Sequence, residues 1–229
     1  VKRGCVFISA GDKERFASYA TEKLTSNYDV VVNYYGKDAD KSSRLRESSS
    51  KFFSLKATKF VALKSVYDSE IRGKYEWVAV FDDDALFLSG YMDDLIFEGN
   101  RLNLDLVSGC QSGKISHGVH IKEGGDHHVR YVNFVEMNFP VFRNEALSRY
   151  MDVYDGKLFG WGNDWWYCSV LKTRTRMNAG IVERVCIENP HGHGEMDSFM
   201  DWTKREEQWK KAMLRLGLEE WDAKTIGYV

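Results

Sequence analysis

The sequence predicts one α/β domain, residues 1–229, built on a mixed, mainly parallel sheet flanked by helices. Three observations carry that expectation. Short apolar runs alternate with stretches of helical periodicity through the first half. One of these runs, Trp77-Val78-Ala79-Val80-Phe81, is continuously apolar, as in a strand buried on both faces. A chain of 229 residues, 43% of them hydrophobic, is long enough to close one sizeable core.

In chain order, Cys5 to Ile8 reads as a strand that ends in Ser9-Ala10-Gly11-Asp12, and Phe16, Tyr19, Ala20 and Leu24 then recur at helical spacing. Val30 to Tyr35 is β-branched and aromatic, hence a second strand. Gly36 to Ser50, rich in Lys, Asp and Ser, is expected as a mobile connector. Phe60, Leu63, Tyr67 and Ile71 mark a helix face between Ala57 and Ile71, ahead of the Trp77 strand. Beyond it, Leu104 to Ser108 and Tyr131 to Val135 read as strands, joined by a Gly/His-rich excursion from Gly109 to His128 expected to help build an acceptor site. Trp202, Trp209, Met213 and Leu216 share the face of a last helix, whose Glu206/Lys210 and Glu207/Lys211 pairs lie on the wet side. That places a first half at about 1–108, a second at about 109–200, and at 201–229 a capping helix with no chemistry of its own.

Composition excludes several classes. With 32 Lys+Arg against 34 Asp+Glu, the formal charge of −2 offers no polycationic field, so no nucleic acid partner is expected. The four cysteines, Cys5, Cys110, Cys168 and Cys186, are scattered, without a zinc-knuckle pair or disulfide framework, which fits reduced thiols in a cytoplasmic protein. No apolar window is long enough for a membrane span, and no Asn-x-Ser/Thr acceptor is present.

The chemistry concentrates in two places. Asp82, Asp83 and Asp84 follow the Trp77 strand, where open α/β sheets bind ligands. Two unit charges 4 Å apart repel by about 4 kcal/mol at an effective dielectric near 20, so a compensating cation is expected. Side chains alternate in extended backbone, which sends Asp82 and Asp84 to one side and Asp83 to the other. Two converging carboxylates suit Mn²⁺ or Mg²⁺, which would neutralise a leaving diphosphate. A solvated acidic turn, or an aspartate capping the next helix, is the plain alternative. In Asn189-Pro190-His191-Gly192-His193, the two histidines share a face in extended backbone and either complete a metal site or form an exposed turn.

The second place is Gly160-Trp161-Gly162-Asn163-Asp164-Trp165-Trp166-Tyr167. Trp161 and Trp165 offer flat faces for stacking on a sugar, and Asp164 among them is a candidate general base through a desolvation-raised pKa. Alternatively Asp164 is the N-cap of a helix from Trp165 to Leu171, with the tryptophans in the core. Glu136 is a further acceptor-side contact and the reserve base.

Together, the D-x-D at a strand end, Lys59-Phe60 in a helix, Val132-Asn133-Phe134-Val135-Glu136-Met137, Pro140-Val141-Phe142, Gly160-Trp161-Gly162-Asn163-Asp164 and the later His191-Gly192 resemble the GT-A class of glycosyltransferases. Within that class the order is similar to small glycosyltransferase domains of large algal viruses and to a plant and bacterial family of uncharacterised proteins, from about Cys5 to Gly194. The resemblance implies a divalent-metal-dependent hexosyl or deoxyhexosyl transferase that moves a sugar from a UDP-sugar to a glycan or glycoprotein acceptor, and for a viral protein it implies the host cytoplasm; Asp164 as general base would make the displacement inverting, while the sequence leaves the stereochemistry open. It also implies that Ser9, Ala10, Gly11, Arg15, Tyr35, Lys59, Asp82 and Asp83 hold the nucleotide, while Asp82, Asp84 and His191 hold the metal. The rivals are a metal-dependent phosphohydrolase or nucleotidyltransferase, and a non-catalytic glycan-binding module using the aspartates for Ca²⁺.

Overall fold

In the computed structural model, which describes residues 4–113, 115–190 and 202–229, strand β1 (Gly4–Ala10) is buried at every position. It lies between β2 (Tyr28–Tyr34) and β4 (Trp77–Asp82), parallel to both, with β3 (Lys51–Phe53) parallel to β2 on the outside. Apolar runs read from the sequence thus become the parallel centre of the sheet. Beyond β4, the short β8 (Val141–Arg143) runs antiparallel and bridges to β6 (Leu106–Gly113), which pairs in parallel with β9 (Ala179–Asn189). The antiparallel β7 (Val129–Val132) and then β10 (Thr225–Tyr228) complete the order β10-β7-β9-β6-β8-β4-β1-β2-β3, while β5 (Leu86–Ser89) pairs with β9 off this path. The sheet is therefore mixed, and β1, β2, β4, β6 and β9 all open their carboxyl ends on one edge. It runs unbroken across residue 108, because β6 joins β8 to β9.

Helices cover both faces. On one, Phe60, Leu63 and Tyr67 of α3 (Lys59–Glu70) pack with Leu147 and Tyr150 of α5 (Asn144–Val153), Trp166 and Tyr167 of α6 (Asn163–Leu171) and Trp209 of α7 (Trp202–Leu216). On the other, Phe16 and Ala20 of α1 (Phe16–Lys23) and Leu95 and Ile96 of α4 (Met92–Arg101) cover Val30, Trp77 and Phe81.

Three expectations are corrected. The connector from Gly36 to Ser50 contains a helix, α2 (Ala39–Ser48), whose first turn is capped by the Asp38 carboxylate accepting from the Lys41 N–H at 3.0 Å. Leu45 is its one buried residue, so no apolar period announces it. The segment after α7 is more than a cap, since Leu218, Trp221 and Ala223 pack on the core and Thr225–Tyr228 adds a strand. Finally, β7 begins two residues before Tyr131 and ends at Val132, because Phe134 and Val135 leave the ladder to line the core.

Candidate active site

At the carboxyl end of β4, Asp82 closes the strand and Asp83 and Asp84 form the turn that follows, so the extended backbone expected across all three aspartates stops at the first. Asp83 turns back to the β1–α1 loop: its carboxylate accepts the Gly11 N–H at 2.7 Å, and its carbonyl accepts those of Arg15 and Phe16 at 2.7 and 2.8 Å. Burial pushes its carboxyl up to about 7. This stitch fixes the loop on which several predicted nucleotide contacts stand. Ser9 Oγ accepts from Asn33 Nδ2 at 3.1 Å, the Ala10 carbonyl accepts the Tyr35 N–H at 2.9 Å, Tyr35 is half-buried, and Arg15 is exposed.

Asp82 points the other way, toward α3. Lys59, 6% exposed, sets its ammonium 2.7 Å from Asp82 Oδ1 and also donates to the carbonyls of Met137 and Asn138. Asp84 is half-buried; burial first, and then the charge of Asp82, raise its carboxyl to about 6, against the pull of Lys59 and Arg15. The charge of Asp82 thus reaches Asp84, which stands in the turn after β4 and not in the extended backbone from which the pairing was expected.

Glu136, 3% exposed, stands in the irregular segment between β7 and β8, within reach of the Asp82 charge. Its carboxylate accepts the His117 N–H at 2.9 Å and Asn138 Nδ2 at 3.1 Å, while its own N–H donates to His120 Nε2 at 3.1 Å. Burial, then the charge of Asp164, then that of Asp82 among the charges, push it up to about 7. Accepting at Nε2 puts the ring proton of the buried, neutral His120 on Nδ1, which has no hydrogen-bond partner among the described residues and lies 3.9 Å from Glu136 Oε1.

Asp164 stands in the first turn of α6, half-buried. The N-cap is Gly162, at φ 90° and ψ −8°, which displaces the expectation of an aspartate cap. A side chain at 162 would meet the Trp209 indole at 2.2 Å, so close packing selects glycine there as firmly as the positive φ does. Asn163 is locked by Tyr150 Oη at 2.6 Å and by the Gly160 carbonyl at 2.6 Å, which orients the turn. Asp164 accepts the N–H groups of Trp165 and Met137, and burial raises its carboxyl to about 6, with a further push from Glu220. Trp165 is 4% exposed, its ring 4.1 Å from Phe134 and 4.9 Å from Trp221, so it supports the turn from beneath; Trp161 is the half-buried ring of the segment.

The structure therefore brings Lys59, Asp82, Asp84, Glu136 and Asp164 to one edge. His191 and His193 lie outside the described residues. Among the described residues, no three Asp, Glu, His or Cys side chains gather as a metal site. Sequence reasoning missed Asn138, His117, His120 and Glu220, none of which belongs to a local motif. A cavity of about 340 Å³ between α1 and α2, lined by Lys41, Arg44 and Leu45 among others, holds none of the site residues.

A mixed sheet with a parallel nucleotide-type centre and an acidic turn at the end of its fourth strand is the architecture of GT-A glycosyltransferases, and solved structures of that fold match this chain. S. aureus TarS 1–349 matches with a TM-score of 0.61 and 12% identity over 83% of this chain and 60% of that one. The same TarS fragment in complex with UDP-GlcNAc gives 0.64 and 13% over 97% and 68%, and GalNAc-T7 with UDP, GalNAc and Mn²⁺ gives 0.60 and 8% over 83% and 44%. This chain thus spans about 60% of the first of these structures. No protein-family profile and no curated protein matches it. The algal-virus resemblance rests on the sequence motifs alone. No described helix is long and apolar enough to cross a membrane.

Proposed function

We propose that the chain is a glycosyltransferase that moves a sugar from a nucleoside-diphosphate donor, UDP-linked, to a hydroxyl of a glycan or glycoprotein acceptor with inversion at the anomeric carbon. The observation that carries this reading is the set of half-buried carboxylates at the end of β4, Asp82 bonded to Lys59 and Asp84 beside it, with the buried Glu136 of the second half of the chain under the charges of both Asp82 and Asp164. The likeness to GT-A structures supports reading Asp82 and Asp84 as the donor side. TarS with UDP-GlcNAc and GalNAc-T7 with UDP and Mn²⁺ support a uridine nucleotide as donor carrier.

The donor set suits a hard divalent ion: Asp84 and Asp82, with His191 from the sequence reading, would hold Mn²⁺ or Mg²⁺ with diphosphate oxygens completing the shell, and the ion would neutralise charge on the leaving diphosphate. Lys59 holds Asp82 in place and keeps a positive charge beside the phosphates. Ser9, Ala10, Gly11, Arg15 and Tyr35 border the base and ribose, on a loop that Asp83 fixes.

Asp164 takes the proton of the acceptor hydroxyl as its oxygen bonds to the anomeric carbon and the bond to the diphosphate breaks. A carboxyl raised to about 6 is a better base than an ordinary aspartate and is still largely ionised at pH 7.5. Trp161 offers its ring to the acceptor, and Glu136 lines the same side. Asp164→Asn tests the assignment, because it keeps the size of the side chain and removes the base: turnover should fall by roughly 10²–10⁴-fold while UDP binding, read by calorimetry with Mn²⁺, stays within about twofold of wild type. Unchanged turnover, or retention at the new anomeric proton by NMR, would sink the mechanism.

A further inference from the structure

The segment after α7, expected to be a passive cap, reaches the catalytic side of the molecule. The Trp209 indole of α7 packs against Gly162, two residues before Asp164, and its Nε1–H donates to Glu220 Oε1 at 2.6 Å. The next residue, Trp221, lies 4.9 Å from Trp165 ring to ring and donates its own indole N–H to the Asn133 carbonyl at 3.2 Å. His117, which gives its backbone N–H to Glu136, packs edge-on to the same Trp165 at 5.5 Å. The Trp209 hydrogen bond, braced by the Trp221–Trp165–His117 ring contacts, thus holds the exposed Glu220 carboxylate where its charge reaches Asp164 and His117.

Among the described residues the charges there are unbalanced. Glu136, Asp164 and Glu220 are all acidic. Lys59 is bonded to Asp82, Arg174 pairs with Glu219, and Arg205, which passes Gly160, has partners of its own. His120 adds a buried, unpartnered Nδ1 facing the Glu136 carboxylate, a neutral donor in place of a cation.

Resting on the glycosyltransferase reading, we propose that Glu220 is a specificity-determining residue of the acceptor cleft, which selects uncharged or amine-bearing sugars and rejects acceptors that carry phosphate, sulfate or carboxylate. An anionic group entering beside three carboxylates meets like charges in a partly desolvated cleft, while an ammonium gains from them. Neutral hydroxyls meet carboxylate acceptors, suited to binding O–H donors.

The probes are the neutral, 2-amino and uronate forms of one hexose oligosaccharide, each measured by direct NMR binding to the full chain and by release of nucleoside diphosphate. Uronate binding should be weaker than neutral binding by about tenfold or more. Glu220→Gln, which keeps an oxygen for the Trp209 indole and removes the charge, should narrow that gap by roughly threefold or more at low salt, with less effect at high salt. The acid limb of its pH–rate profile should move to lower pH, because the charge that helps raise Asp164 is gone. Glu219→Gln, one residue away and paired to Arg174, should leave both readouts where they are. Uronate bound as tightly as the neutral form, or a gap unchanged by Glu220→Gln, overturns the inference. Retention of the binding order without turnover of any probe would overturn the catalytic reading and leave the selectivity standing.

Discussion

Gly162→Ala strikes the contact on which the whole acceptor side is hung. Gly162 has φ 90°, where an alanine costs about 1–2 kcal/mol through its Cβ. That Cβ would also lie 2.2, 2.3 and 2.9 Å from three atoms of the Trp209 indole. The indole has no easy retreat, since it is 1% exposed and tied to Glu220. Overpacking of this kind costs a further 1–3 kcal/mol or so, for a total of about 2–5 kcal/mol. For a chain of this size, that lowers the melting temperature by about 4–20 °C. Gly156→Ala is the matched control: its φ is 72°, and an added Cβ meets no atom within 4 Å, so it should lose only the backbone part, about 1–2 kcal/mol. Thermal melts of both variants side by side decide the matter. Equal losses would show that Trp209 does not press on the α6 turn, and the link from α7 to Asp164 would fall with it.

Glu136 is held protonated more readily in the fold than in the unfolded chain, its carboxyl raised to about 7 against about 4.3 unfolded. The folded protein therefore keeps a proton there between about pH 4 and 7, and this group's contribution to stability falls as pH rises through that window. Comparison of wild type with Glu136→Gln isolates it from His117 and His120, which burial keeps neutral and which pull the opposite way: the melting temperature of wild type relative to the variant should rise from pH 7.5 to pH 5, and a relative fall would contradict the burial argument. Lys59→Met leaves Asp82 without its cation, and because Asp82 is about a third exposed the expected loss is only about 1–3 kcal/mol by urea denaturation, with UDP affinity down by about tenfold or more; full retention of both would make Lys59 a bystander.

The donor side was legible in the sequence because its parts are local. The continuously apolar Trp77–Phe81 strand announces its own burial and three aspartates follow without a gap; strand alternation does not reach past Asp82, because Asp83 and Asp84 stand in a turn, and it is the Gly11 N–H that draws the Asp83 carboxylate toward the β1–α1 loop. Asp164 was legible for the same reason, marked by glycines and tryptophans on either side, though its place as cap was not: Gly162 holds the cap because of Trp209, 47 residues downstream, a contact no local pattern encodes. The surface proposed for the acceptor is assembled from His117–His120, Asn133–Asn138, Gly160–Trp165 and Trp209–Trp221, four stretches brought together only by the sheet order β10-β7-β9-β6 and by ring-on-ring packing. None of these stretches needs a motif, since each contributes one side chain or one backbone N–H to a surface the others complete. The same division has a consequence for specificity. The proposed donor contacts sit on strand ends that cannot change without disturbing the core, whereas the proposed acceptor surface rests on an exposed carboxylate, a half-buried ring and loop backbone. Charge at position 220 and ring size at position 161 can vary while β1, β4 and the Lys59–Asp82 pair stay as they are. On this architecture, exchange of the segment after α7 should redirect the acceptor and leave the donor unchanged.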